Sequence, residues 1–137
     1  MSTEDIKKFK EDKVKLVTAI LRPENLDQVR EALCDVDIPG MTVTEVKGFG
    51  KQKGHTELYR GTEFTVEFVH KVKLEIAISN KNLDLLIKTI SDIARSGNKG
   101  DGKIFVTDIE KVVRIRTGET DHDAPVSYTH LTLPTKA

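Results

Sequence analysis

Residues 96–103, with the sequence SGNKGDGK, have the composition of a phosphate-binding loop. Three glycines and two lysines lie here between a predicted helix and a predicted strand. Glycine lets backbone N–H groups approach an anion closely, and lysine adds positive charge. The Walker pattern GxxxxGK[ST] is absent, and the loop follows a helix instead of preceding one. A plain Asp-Gly turn is the alternative interpretation of residues 100–103.

Arg114 and Arg116 are two residues apart in a segment predicted as a strand, so their side chains are expected on the same side. Together with Lys103 they would form a cationic cage suited to a polyphosphate. The alternative is a solvated sheet edge. Although the three cationic features converge on one anion, the polyphosphate site and the solvated edge both remain open.

A second unusual connection, residues 49–65, has the sequence FGKQKGHTELYRGTEFT. It links two predicted strands that a tight hairpin could have joined. Loops longer than about 12–15 residues in a compact domain are usually functional or disordered. No Ser/His/Asp or Cys/His grouping that would activate a nucleophile stands out. Residues 121–123 (DHD) could bind a metal, but a solvated tail is the favoured interpretation.

The elements that must position these loops follow from hydrophobic periodicity. The predicted strands are 14–22, 42–48, 66–79, 104–109 and 112–116, and the predicted helices are 25–36 and 82–94. The order β-α-β-β-α-β is that of an α+β, ferredoxin-like fold with a split βαβ unit. In the third strand, apolar and charged residues alternate, which predicts one sheet face under the helices and an opposite face that is partly charged.

Composition excludes several classes of protein. The 137 residues carry 22 Lys and Arg against 22 Asp and Glu, so a general binder of nucleic acid or anionic membrane is not expected. One cysteine, Cys34, permits neither an intrachain disulfide nor a cysteine zinc site. The sequence has neither an apolar run of membrane-spanning length nor a signal peptide, which favours a cytoplasmic protein.

Four segments have distinctive sequences: residues 40–50 (GMTVTEVKGFG), 52–61 (QKGHTELYRG), 96–106 (SGNKGDGKIFV) and 114–119 (RIRTGE). Together they resemble the nitrogen regulatory PII signal-transduction family. The resemblance is colinear over about residues 14–124. It implies a compact homotrimer with a nucleotide in each cleft between subunits, and a regulatory protein, not an enzyme.

The resemblance also implies a set of ligand contacts. For ATP or ADP they are Ile20, Thr42, Gly48, Phe49, Gly50, Lys51, Gln52, Gly100, Asp101, Gly102, Lys103, Arg114 and Arg116, the two arginines reaching across the subunit boundary. For the effector 2-oxoglutarate they are Gly50, Lys51, Gln52, Lys53, Gly54 and Lys71. Gln52 is the implied ligand of Mg²⁺, which would bridge the ATP phosphates and 2-oxoglutarate.

Electrostatics agrees with this ligand set. A dicarboxylate beside a triphosphate is repelled, and a shared divalent cation reverses the sign of the interaction. Binding of 2-oxoglutarate is therefore expected to require Mg-ATP, a coupling that must be reciprocal. A slow, Mg-dependent ATP-hydrolysing enzyme is the alternative, although no residue is evidently placed to position an attacking water.

The 49–65 loop corresponds to the family's flexible T-loop, and its change of conformation with ligand would offer or withdraw its tip from a partner. Tyr59, Arg60 and Thr62 are the implied partner-loop residues. An ammonium transporter is the expected partner, with Arg60 entering its pore; glutamine synthetase, nitrogenase regulation or a biosynthetic enzyme are alternatives. Bacterial relatives are nucleotidylylated on a tyrosine where this chain has Phe64. Without a phenol oxygen, no such modification is expected there.

Both ends of the chain depart from the family pattern. Residues 1–13 form a short charged extension ahead of the domain at 14–124. Residues 126–137 (VSYTHLTLPTKA) resemble the translation of a sequencing adapter, with Pro125 at the junction. The expectation is that 125–137 is a non-native tail; a natural tail is the alternative.

Overall fold

The computed structural model describes residues 2–38, 40–49 and 68–120. The elements are α1 (Thr3–Asp12), β1 (Val14–Leu21), a 3-10 turn (Pro23–Asn25), α2 (Leu26–Asp35), β2 (Thr42–Phe49), β3 (Phe68–Ser79), a 3-10 turn (Asn80–Asn82), α3 (Leu83–Ala94) and β4 (Gly102–Asp108). The four strands form one sheet in the order β2-β3-β1-β4, and neighbouring strands are antiparallel. The predicted ferredoxin-like α+β fold is confirmed.

One face of the sheet packs against α2 and α3. Cross-strand pairs such as Val17 with Ile76 and Ala19 with Leu74 are fully buried there. Leu33 of α2 and further residues of both helices, among them Val29, Leu86 and Ile90, complete the core. Burial of each aliphatic side chain of this size stabilises the folded state by about 1.5–3 kcal/mol.

The opposite face of the sheet, called the open face here, carries the intervening residues. Ile20 lies across from Lys73 on β3 and from Lys103 on β4. Because side chains alternate along a strand, these residues point away from the helices. The predicted partly charged face is therefore present, and it carries several of the predicted ligand contacts.

The prediction of a strand at 112–116 is wrong. Val113 makes only an isolated bridge with Thr120. The Arg114 N–H donates to the Glu119 carbonyl, and the Gly118 N–H donates to the Arg114 carbonyl, both at 2.8 Å. Gly118, with φ +78°, allows this reversal. The β-branched residues give the segment strand propensity. However, the N–H and the carbonyl of Arg114 are hydrogen-bonded within the turn, so they are not available to pair with a neighbouring strand. The two arginines therefore do not share one face of a strand.

The N-terminal extension contains a helix that the sequence analysis did not anticipate. The Ser2 hydroxyl accepts the Asp5 N–H at 3.0 Å, and the Ser2 N–H donates to the Asp5 carboxylate at 3.4 Å. This reciprocal pair is a capping box, and the Ser-x-x-Asp spacing was a readable signal for α1. At its other end the extension is joined to the domain, since the Asn80 N–H donates to the Lys13 carbonyl at 2.7 Å. None of the helices in the described ranges is long and apolar enough to cross a bilayer.

Candidate functional site

The junction of the 96–103 loop with β4 depends on a glycine. Gly102 pairs with Leu21 of β1, and its φ is +115°. A Cβ at this position would lie 2.0 Å from the Ile20 carbonyl oxygen. Only glycine lets β4 approach β1 this closely. The approach places the next residue, Lys103, beside Ile20 on the open face, where Lys103 is exposed.

Asp101 organises the interior of the loop. One carboxylate oxygen accepts the backbone N–H groups of Ser96 at 2.8 Å and Gly97 at 2.9 Å, and the other accepts the Ser96 hydroxyl. Hydrogen bonds from Ser96 and then Arg22 hold the pKa of Asp101 well below its ordinary range. The carboxylate is thus ionised and engaged within the loop. A contact between Asp101 and a phosphate would have to come from its backbone.

A pH titration should show this environment directly. We expect the amide signals of Ser96 and Gly97 to show no titration with a midpoint near 4, where an ordinary Asp titrates at about 3.9. Because the pKa in the folded state is depressed, the stabilising contribution of Asp101 is present above the unfolded pKa. It is lost as the pH falls through the lower folded value. NMR spectra between pH 7 and pH 3.5 measure this, and a midpoint near 4 at both amides would contradict the arrangement.

Lys71 reaches the same loop from β3. Its Nζ donates to the Gly100 carbonyl at 2.7 Å. Gly48 of β2 lies beside it, since a Cβ built on Gly48 would be 3.8 Å from Lys71 Cγ. The structure therefore brings together, at one end of the sheet, Lys71, Gly48 and the loop at Gly100, all of which the sequence analysis named.

Comparison with known proteins identifies the family of the chain. The family model described as "Nitrogen regulatory protein P-II" matches residues 14–119. A "Nitrogen regulatory protein P-II" of Pasteurella multocida is 58% identical over 111 residues, covering 81% of this chain and 99% of the relative. A "Nitrogen regulatory protein GlnK" of Escherichia coli K12 is 56% identical over the same length, with the same coverage. The chain belongs to the P-II family.

Solved structures agree with the P-II assignment. A complex of GlnK from B. subtilis with ATP superposes with a TM-score of 0.72 at 34% identity, covering 82% of this chain and 98% of that one. A second structure of B. subtilis GlnK gives a TM-score of 0.70 at 35% identity, with the same coverage. The family resemblance predicted from the four sequence segments is confirmed.

Other predicted contacts of this P-II chain lie away from the loop. Thr42 is the first residue of β2, at the opposite end of that strand from Gly48. β4 carries the chain away from the loop for seven residues before the two arginines are reached, about 20 Å of strand. Arg114 forms an ion pair with Glu119, Nε to Oε1 3.6 Å. Within the described ranges, the hydrogen bonds and ion pairs of the 96–103 loop include neither Thr42 nor Arg116.

Phe49 lies at the end of β2, opposite Phe68 of β3. The two rings are 5.7 Å apart between centroids and inclined at 58°, and each residue is 61% exposed. Because side chains alternate, Phe49 points to the other side of the sheet from Gly48. The aromatic pair closes the strand ladder where the chain enters and leaves residues 50–67.

Several of the predicted site positions fall outside the residues that the structure describes. They are Gly50, Lys51, Gln52, Lys53, Gly54, Tyr59, Arg60, Thr62, Phe64 and residues 121–123. Within the described ranges, no three His, Cys, Asp or Glu side chains are grouped as metal ligands.

A cleft of about 280 Å³ lies on the helix side of the sheet, next to the loop. Its apolar wall comes from α3 and β4, including Ile87, Ile90 and Ile104, and its rim includes Arg95. Lys71 and Ile20 belong to the open face and do not line it. The cleft nevertheless borders the 96–103 loop, because Asp101, Gly102 and Lys103 are among its lining residues.

Sequence reasoning missed one residue of this cluster. Arg22 follows β1 directly, and its guanidinium contacts both Asp101 and the Lys99 carbonyl. A basic residue between the end of a strand and a proline was the available signal, but nothing in the local sequence indicates an acceptor 79 residues away.

Proposed function

We propose that this P-II chain is a nitrogen, carbon and energy status sensor that binds ATP or ADP at the 96–103 loop and 2-oxoglutarate beside Lys71. The 49–65 loop then regulates a partner protein according to which ligands are bound. The observation that carries the proposal is the 2.7 Å contact between Lys71 Nζ and the Gly100 carbonyl. It joins the residue proposed for the effector to the loop proposed for the phosphates.

The charge distribution around the loop supports a polyanionic ligand. Four cationic residues, Arg22, Lys71, Lys99 and Lys103, lie in the 96–103 loop or donate to it, and the one carboxylate of the loop, Asp101, is ion-paired with Arg22. Cations held near backbone N–H groups are a common means of binding phosphate. The similarity to a solved GlnK–ATP complex is consistent with ATP as that polyanion.

Binding of 2-oxoglutarate at Lys71 would place a dicarboxylate near the phosphates. In the proposal Mg²⁺, held by Gln52, offsets their repulsion. The nucleotide site is completed by a second copy of the chain in a homotrimer, whose Arg114 and Arg116 reach it. Sedimentation velocity measures the trimer directly.

Calorimetry tests the two-ligand mechanism. We expect 2-oxoglutarate to bind when both ATP and Mg²⁺ are present and to bind at least tenfold more weakly when either is omitted. Equal 2-oxoglutarate binding without ATP or Mg²⁺ would contradict the mechanism. A multiple-turnover ATPase assay under the same conditions distinguishes the sensor from the alternative of an ATP-hydrolysing enzyme.

Replacement of Lys71 by alanine should weaken 2-oxoglutarate binding by about 10- to 100-fold, because the effector loses a charge-assisted hydrogen bond. ATP affinity should change much less, because the variant loses only the contact of Lys71 with the Gly100 carbonyl on that side. Lys73→Ala is the matched control, since Lys73 is the next cation on the same face of β3. Calorimetry with both ligands measures the two losses of affinity. Equal losses for ATP and 2-oxoglutarate in Lys71→Ala would mean that Lys71 supports the loop and does not bind the effector.

The partner in this proposal is an ammonium transporter or glutamine synthetase, with membrane association only through the transporter. Pull-down of each candidate with ADP, and separately with Mg-ATP plus 2-oxoglutarate, measures which ligand state is bound. Retention that is the same in both states would contradict regulation by ligand occupancy.

A further inference from the structure

Arg22 connects the end of β1 to two points of the 96–103 loop. Its Nη1 donates to Asp101 Oδ1 at 2.6 Å, and its Nη2 donates to the Lys99 carbonyl at 2.7 Å. The Arg22 and Asp101 side chains are 24% and 23% exposed, so the ion pair is largely shielded from solvent. A planar guanidinium presents its donors in a fixed arrangement, so the two contacts together fix the position of the loop.

The backbone of Arg22 is itself fixed. Pro23 follows, which restricts Arg22 to an extended conformation, and the observed φ and ψ are −68° and 140°. Its carbonyl accepts the Asn25 N–H at 3.0 Å, at the start of α2. The side chain therefore extends from a rigid corner of the fold toward a glycine-rich loop.

The guanidinium also covers Gly100. A Cβ built on Gly100 would lie 3.2 Å from Arg22 Nη2 and 3.7 Å from Lys71 Nζ, and Gly100 has φ +93°. The loop thus lies against two cations on this side, one from β1 and one from β3. Its shape is set before any ligand binds, which lowers the ordering cost of binding.

Arg22 has an electrostatic consequence as well. Asp101 places a full negative charge in a loop proposed to bind a polyanion, and the ion pair with Arg22 offsets that charge. Without Arg22, the carboxylate would repel phosphate at close range. The position of the 96–103 loop and the neutralisation of the Asp101 charge therefore both depend on the Arg22 side chain.

We propose that Arg22 is a positioning residue of the phosphate-binding loop, holding Asp101 and the Lys99 carbonyl so that residues 96–103 are preformed for the nucleotide phosphates. The proposal rests on the proposed nucleotide function for its second half only. The positioning of the loop by Arg22 is a property of the ligand-free protein and can be measured without any nucleotide.

The test compares Arg22→Met and Arg22→Lys with Arg30→Met, a control that removes the same charge from an exposed position on α2. In ligand-free protein, Arg22→Met should raise amide hydrogen exchange across residues 96–103 by about tenfold, with the core strands unchanged. Arg22→Lys should recover part of the protection, because an ammonium can satisfy one of the two acceptors. Arg30→Met should behave as wild type.

Ligand titrations then test the role toward phosphates. Arg22→Met should bind ATP about tenfold more weakly while adenosine binding changes less than twofold. Unchanged loop exchange in Arg22→Met, or equal losses for ATP and adenosine, would overturn the proposal. If the wild-type chain binds no ATP, the proposed function fails, while the exchange comparison still decides whether Arg22 positions the loop.

Discussion

Replacement of Gly102 by alanine is expected to destabilise the protein by about 2–6 kcal/mol. The added Cβ would meet the Ile20 carbonyl oxygen at 2.0 Å, a distance that requires backbone movement. Strain at φ +115° costs a non-glycine residue about 1–3 kcal/mol, and overpacking typically adds a further 1–3 kcal/mol. Because β4 would separate from β1 at this end, the loop should also lose its register with Arg22. Urea unfolding of the ligand-free protein at fixed concentration measures the change.

Gly97→Ala is the matched control for this prediction. Gly97 lies in the same loop with φ +88°, but no atom lies within 4 Å of a Cβ built on it. It therefore reports the backbone strain without the collision, and a cost of about 1–2 kcal/mol is expected. If Gly102→Ala were no more destabilising than Gly97→Ala, the close approach of β4 to β1 would not be a constraint on the fold.

The helices and strands of the domain could be predicted because their signals are local. The alternation in residues 72–78 and the helical spacing of Leu86 and Ile90 both follow from which side chains face one core. β4 was predicted to begin at Ile104 but begins at Gly102. A glycine in a sequence usually predicts a loop. Gly102 instead belongs to a strand, because the absence of a side chain permits its close contact with Ile20.

The segment 112–116 shows the opposite failure. Its valines and isoleucine have strand propensity, but a strand also needs a partner, and a hydrogen-bonded turn between Arg114 and Glu119 forms instead. Propensity describes how a residue fits a sheet surface and does not supply the neighbouring strand. The position of the two arginines therefore could not be derived from spacing alone.

The candidate site was predictable in composition but not in its internal contacts. The glycines and lysines of the 96–103 loop predicted an anion-binding segment. The same composition gave no indication that Asp101 would turn inward onto Ser96 and Gly97, or that Arg22 would reach it. Those contacts depend on the register of β1 with β4, which long-range packing determines.

The register also explains why Lys103 is the cation best placed for a phosphate. Arg22 and Lys71 already donate to loop acceptors, whereas no hydrogen bond or ion pair involves the side chain of Lys103 in the part of the chain that the structure describes. It lies on the open face directly after Gly102, in the row of the sheet that contains Ile20. Its charge is therefore available to a ligand without breaking an existing contact.

Replacement of Lys103 by methionine should weaken ATP binding by about 10- to 100-fold, because a charge-assisted hydrogen bond to phosphate is lost while the apolar stem is kept. The loss should fall from ATP to ADP and be smallest for adenosine, and added salt should weaken ATP binding less in the variant than in wild type. Lys103→Arg should retain much of the affinity, and Lys81→Met, at an exposed lysine beyond the far end of β3, should leave it unchanged. Calorimetry over this nucleotide series is decisive, since a phosphate ligand predicts a loss that grows with phosphate number. An equal loss for adenosine would instead mean that Lys103 supports the fold of the site and does not bind phosphate.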